Sequence, residues 1–200
     1  MSISSAQASV AKRSYRLGKR ADKQDETRRR IVEATVALHG TIGPARTTVS
    51  QIAERAGVQR HTFYAHFPDE RSLFEACSGL ALERDPLPDS APWRSLPYGR
   101  ERLRTGLAQL YGWYSRNAEL AACVLRDAEV HAPTREIVGE RMAPTFAQAA
   151  EVLGEGLSDS ARALLGVALD FACWRALPPG APEAAADLMA EAISGLKAEL

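Results

Sequence analysis

Residues 47–67 read TTVSQIAERAGVQRHTFYAHF, two short helical patterns on either side of Ala56-Gly57-Val58. Thr48 and Gln51 stand three apart, as a capping box requires, and open a helix whose Val49, Ile52, Ala53 and Ala56 face inward. Ala53 is small enough for a second helix to cross closely. Gly57 can take the left-handed backbone of a tight turn, and Val58 fills the angle between the helices. The second helix, about Gln59 to Ala65, buries Phe63 and Phe67 and so turns Gln59, Arg60, His61, Thr62, Tyr64 and His66 toward solvent. Gln and Arg can make paired hydrogen bonds to base edges in a major groove, while Thr, Tyr and His suit phosphate oxygens. The capped start of the first helix suits a phosphate as well. Helical hairpins of many kinds share the turn; the turn, the aromatic pair and the basic surroundings together point to double-stranded DNA.

The charge pattern agrees. Over 200 residues the formal net charge is zero, yet residues 1–68 carry 12 Lys and Arg against 5 acids, and residues 69–200 carry 13 against 20. A basic end joined to an acidic body suits a polyanion partner at one end only, although a solvated imbalance gives the same count. Residues 1–24 have too few large apolar side chains for a core and read as a flexible basic arm. With Lys12, Arg13, Arg16, Lys19, Arg20, Lys23 and the Arg28-Arg29-Arg30 cluster, the basic segment either follows the minor groove or a phosphate strand, or only solubilises the chain.

Outward from the motif the chain is helical throughout. Ile31, Ala34, Thr35 and Leu38 predict a helix over 25–39, with Gly40 at the cap position. Asp69 offers an N-cap for a linking helix over 69–84. Pro86, Pro88, Pro92 and Pro97 make a connector. Three helices follow, on Leu103/Leu107/Leu110/Tyr114, on Leu120/Val124/Leu125/Ala128 and on Ile137 through Leu153, the last with a kink or break expected before Pro144. One helix from Ser158 or Asp159 to Trp174 and a last one after Pro182 complete the chain. The expectation is an all-α protein of about nine helices: a three-helix helix-turn-helix domain over 25–68, and a helical domain over 69–200.

Several classes find no support. Cys77, Cys123 and Cys173 are odd in number and widely spaced, and no histidine or carboxylate has zinc-ligand spacing, so neither disulfides nor a metal is expected. His131 reads as a helix-end residue. Glycine-rich phosphate loops, metal-binding His pairs and nucleophile motifs are missing, so neither an enzyme nor a cofactor is expected. There is no apolar run long enough to cross a membrane and no secretory signal, which leads us to expect a cytoplasmic protein. Trp113, Tyr114, Phe146, Phe171 and Trp174 read either as the wall of a small-molecule site or as plain core. Arg126 and Asp127 read either as ligand-orienting groups or as a surface ion pair.

Over Thr27 to Phe74, through TTVSQIAERAGV, TFYAHF and PDERSLF, the chain resembles the TetR family of bacterial transcriptional regulators. Beyond that the agreement is in length and helix pattern. The resemblance implies a three-helix DNA-binding domain, a linking fourth helix, and a larger helical domain that binds a small-molecule effector and pairs two subunits. It places Thr48, Gln51, Thr62, Tyr64 and His66 on the DNA backbone and Gln59, Arg60 and His61 at base-reading positions. Two departures stand out. Gln59-Arg60-His61 replaces the usual Ser-basic-small start of the reading helix, and Asp69-Glu70 stands where a lysine is common, with Arg71 as the substitute phosphate contact. The implied protein is a ligand-responsive regulator, a repressor by the family's habit, binding a near-palindromic operator as a homodimer. Its final two helices would pair through Leu164, Leu165, Ala168, Leu188, Met189 and Ile193. An architectural DNA-binding dimer without a ligand, and a helical module for an acidic protein or anionic lipid surface, remain as alternatives.

Overall fold

A computed structural model describes residues 4–196, and the side chains from residue 21 onward. Its helices are α1 (Ser4–His39), α2 (Val49–Ala56), α3 (Arg60–His66), α4 (Glu70–Arg84), α5 (Arg100–Arg116), α6 (Ala118–Ala128), α7 (Ala132–Gly154), α8 (Asp159–Ala168), α9 (Phe171–Ala176) and α10 (Pro182–Gly195). Short 3-10 turns lie at Pro44–Arg46 and Ala91–Ser95, the second inside the proline connector, and there is no strand among the described residues. Among those residues none of the helices is long and apolar enough to cross a membrane.

Two apolar clusters divide the chain. The smaller joins Ile31, Val32 and Ala34 of α1, Ile52 and Ala56 of α2, Phe63 and Phe67, and Leu73, Phe74 and Cys77 of α4, with Ile137 of α7 at its edge. The larger is built on α5, whose Leu103, Leu107, Leu110 and Tyr114 are buried as their spacing predicts, against α7, α8 and α10. Helix α4 contributes to both clusters. The first half of the linking helix completes the small core, while Leu82 near its end packs on the large one.

The structure departs from expectation in five places. First, α1 begins at Ser4 instead of Asp25. Residues 4–24 contain no proline and are rich in Ala, Lys and Arg, so helix can propagate outward from the packed half. The arm side chains of Lys12, Arg13, Arg16, Lys19 and Arg20 lie outside the described residues.

Second, Gly40 is not a left-handed cap: its N–H bonds the Val36 carbonyl in helical fashion. The chain turns at Gly43, where φ is 91° and ψ 157°, and a Cβ would overlap the Asp127 carboxylate. Third, α7 runs unbroken through Pro144. Glu140, whose carbonyl loses its helical donor, is exposed together with Pro144, so water can serve it.

Fourth, the long helix expected after Ser158 is two. The chain breaks at Leu169-Asp170, where Asp170 accepts from the N–H groups of Ala172 and Cys173 and starts α9. The hydroxyls of Tyr111 and Tyr114 donate to the carbonyls of Ala168 (2.9 Å) and Leu169 (2.6 Å) at that break, supplying donors that a continuing helix would have provided.

Fifth, most of the expected pairing face is spent inside the protomer. Leu165, Ala168, Met189 and Ile193 are buried, α10 packing mainly on α5. What α8 and α10 leave outside is Val167 and Leu188, 53% and 51% exposed, beside half-buried Leu164.

Candidate nucleic-acid interface

The motif folds as its residues dictate. Thr48 caps α2: its hydroxyl accepts from the Gln51 N–H at 3.3 Å while the Gln51 side chain accepts from the Thr48 N–H at 2.8 Å, so both halves of the capping box are present. Gly57 ends α2 with φ 64° and ψ 40°, the left-handed conformation expected of it. Phe63 and Phe67 are buried at 3% and 1% exposure, their rings 5.9 Å apart, and they fix the roll of α3 about its axis.

That roll decides what faces solvent. Gln59, Arg60, His61 and Tyr64 are exposed, and Thr62 and His66 are half-buried. Thr48 and Gln51 are exposed at the start of α2. All eight side chains expected to meet DNA therefore fall on α3, on the residue preceding it, or on the capped end of α2. Gln59 occupies the N-cap position of α3 without a side-chain cap bond, which leaves its amide free, and His61 Nε2 lies 3.3 Å from the Thr62 hydroxyl.

The Arg28-Arg29-Arg30 cluster is engaged within the protein. Arg28 donates to the His66 carbonyl at 3.0 Å and lies 4.2 Å over the Phe67 ring, closing the end of α3. Arg30 donates to the Ala56 carbonyl at 3.0 Å, closing the end of α2. Arg29 pairs with Glu26 and Glu33. Much of the local positive charge thus holds the motif together. Arg71, expected as the substitute phosphate contact, is likewise engaged, pairing with Glu75, Glu136 and Glu140 and tying α4 to α7. Asp69 instead caps α4 through the Ser72 N–H at 2.7 Å, a bond that lowers its carboxyl below the usual range.

Sequence reasoning missed how the motif is fastened to the body. Asp127, at the end of α6, is 3% exposed and accepts from the Ala45 N–H at 2.9 Å. Arg126 pairs with the same carboxylate at 2.7 Å and donates to the Ile42 carbonyl at 3.2 Å. The pair is a latch between α6 and the α1–α2 connection, rather than a surface ion pair. An Arg-Asp dipeptide in a helix pattern gave no sign of it; Gly43, which lets the backbone come close enough, was the available signal.

Of the six side chains expected to line a ligand site, four share one groove and two lie elsewhere. Trp113 walls an apolar cavity between α1, α4, α5, α6 and α7. Tyr114, Arg126, Phe146 and Phe171 line an open groove beside it, and Trp174 borders another. Tyr114 is the hub of the aromatics, its ring 5.2 Å from Phe171 and 5.6 Å from Trp174, and at 1% exposure it is core.

Residues 31–77 match the family model of bacterial regulatory proteins, tetR family. Over 55 residues the chain is 42% identical to the HTH-type transcriptional regulator TtgR of Pseudomonas putida and equally to ArpR of the same species, a probable HTH-type regulator by description. That stretch is 28% of this chain and 26% of the length of either relative. The whole fold is similar to the transcriptional regulator FadR from Bacillus subtilis, solved with stearoyl-CoA, at a TM-score of 0.57 and 20% identity over 83% of this chain and 97% of that one. A transcriptional regulator from Rhodococcus sp. Rha1 is similar at 0.58 and 20%, over 83% and 95%. Residues 31–77 are a TetR-family helix-turn-helix domain, and the described helices beyond it continue a fold of that type.

Proposed function

We propose that this chain, which carries a TetR-family helix-turn-helix domain, is a DNA-binding transcriptional regulator that works as a homodimer on a near-palindromic operator and responds to a small-molecule effector held in its helical body. The observation that carries the reading is the surface of α3. Gln59, Arg60, His61 and Tyr64 stand clear of the protein on a helix pinned from behind by two buried phenylalanines. Such a helix enters a major groove with its polar side foremost, Arg60 and Gln59 being able to pair with base edges. Thr48 and Gln51, with Thr62, Tyr64 and His66, would hold phosphates on either side.

Two subunits related by a two-fold axis would set two such helices about 34 Å apart, one DNA turn. Val167 and Leu188 offer the exposed apolar surface for that pairing. An effector acts only if it favours one spacing of the two reading helices over another. Release of the operator, hence repression, is the mode we propose.

The test is selection of bound duplexes from random DNA with the full chain. An inverted repeat with half-sites one turn apart is expected. Recovery of no common site, or of a single unrepeated one, would remove the dimeric-operator reading.

A further inference from the structure

Helix α3 has seven residues, a length of about 10 Å, too short to hold its shape and direction unaided. Gln59 at its start makes no side-chain cap bond, and His61 and Thr62 bond each other. Phe63 and Phe67 set the roll of the helix from behind, but two apolar side chains do not fix how far its carbonyl end can swing. Among the described residues a single hydrogen bond joins α3 to another helix. Arg28 of α1 donates through Nη1 to the His66 carbonyl at 3.0 Å, across 38 positions of sequence. The same guanidinium lies 4.2 Å over the Phe67 ring, so it holds the last turn by an edge and by a face.

Arg30 serves α2 in the same way, donating to the Ala56 carbonyl at 3.0 Å. Both helices of the motif are therefore tied at their carbonyl ends to α1, which sets where α3 stands relative to the capped start of α2. Arg29, between the two, pairs with Glu26 and Glu33 instead.

We propose that Arg28 is a positioning residue for DNA reading: it holds the carbonyl end of α3 so that Gln59, Arg60 and Tyr64 reach a duplex together with Thr48 and Gln51. The inference rests on the DNA-reading surface assigned above. Two sets of contacts made at once need their relative placement held beforehand, because a helix free to swing must be ordered on the DNA at the expense of affinity. Arginine suits the place, since its planar group donates in its plane and stacks by its face, which an ammonium cannot do. Arg28 has no carboxylate partner among the described residues, so direct phosphate binding is the rival role that the test has to separate.

The test measures affinity of the full chain for a duplex selected from random DNA and for an unrelated duplex, between about 50 and 200 mM salt. Native chain, Arg28→Lys and Arg28→Met are compared at a temperature where circular dichroism shows each to be folded. Arg28→Lys keeps the charge, and should bind the unrelated duplex as the native chain does but the selected one several-fold more weakly. Arg28→Met should lose roughly tenfold on the selected duplex, with the native dependence on salt. A salt slope smaller by about 1 in Arg28→Met would show a phosphate contact in its place. Equal losses on both duplexes, or native affinity in folded variants whose Tm alone has fallen, would likewise overturn the inference. If Arg28→Met does not fold, Arg28→Lys decides, and native binding by it contradicts the proposal. A native chain that prefers no duplex would remove the DNA reading itself, an outcome distinct from the failure of Arg28 alone.

Discussion

Arg60 and Tyr64 stand one helical turn apart on the exposed side of α3, yet they are suited to different parts of a duplex. Arg60→Ala should relax the preference at one base pair of each half-site, removing about 1–3 kcal/mol of discrimination. Tyr64→Phe should weaken selected and altered sequences alike, by roughly 1 kcal/mol, because it deletes one phosphate-directed hydroxyl. Fluorescence anisotropy on a panel of point-substituted duplexes separates the two patterns.

His39 makes a prediction about acid. Burial is the main cause that lowers its pKa to about 4; the charge of Asp127 opposes the shift and that of His131 adds to it. An unfolded histidine titrates near 6.5, so between about pH 6.5 and 4 the unfolded chain binds a proton that the folded chain refuses. Stability is therefore undiminished by this residue above about pH 6.5 and falls on acidification, by about 3 kcal/mol at the limit. Urea midpoints at about pH 7 and pH 5 should drop more in the native chain than in His39→Leu. The role of this residue was not legible in the sequence, where it reads as one polar residue ending a helix; only the packing of α4 against α1 makes it an interior group. Gln59, Arg60 and Tyr64 were legible because Phe63 and Phe67 fix the direction in which they must point.

The elements of the helix-turn-helix were readable from local chemistry alone. Capping box, left-handed glycine and aromatic anchors each act within a few residues, and each is where the pattern put it. Breaks decided by distant partners were not readable in the same way. The division between α8 and α9 depends on Tyr111 and Tyr114 reaching over from α5 as much as on Asp170. Gly43 and Asp127 are more than eighty residues apart, and only the folded chain reveals that one makes room for the other. Two substitutions measure these contributions. Gly57→Ala should cost about 1–2 kcal/mol, the penalty of a side chain in left-handed backbone. Asp127→Ala should cost about 2 kcal/mol or more, because it strips the Ala45 N–H of a charged acceptor and leaves Arg126 without its partner. Thermal unfolding followed by circular dichroism reads both.

At the scale of the whole molecule, a basic end and an acidic body were visible in the composition, and so was the all-helical class. The proposed pairing surface was not, because helical periodicity identifies apolar faces without telling which one packs inside the protomer. With Leu165, Ala168 and Ile193 turned inward, the exposed remnant on α8 and α10 is Val167 and Leu188. Changing both to Glu should give a folded chain that sediments as a monomer and binds operator far more weakly, since half-site binding loses the second contact. A dimer that persists in this double variant would place the interface elsewhere.

In the proposed function α3 reads the major groove of a duplex as one of a symmetric pair. Hydroxyl-radical and methylation footprinting of the full chain on a selected duplex tests it most directly. Two protected half-sites about one turn apart are expected, with major-groove guanines shielded from methylation in each and the shielding lost in Arg60→Ala. Protection that is uniform along the duplex, or that leaves the major-groove guanines open, would contradict it.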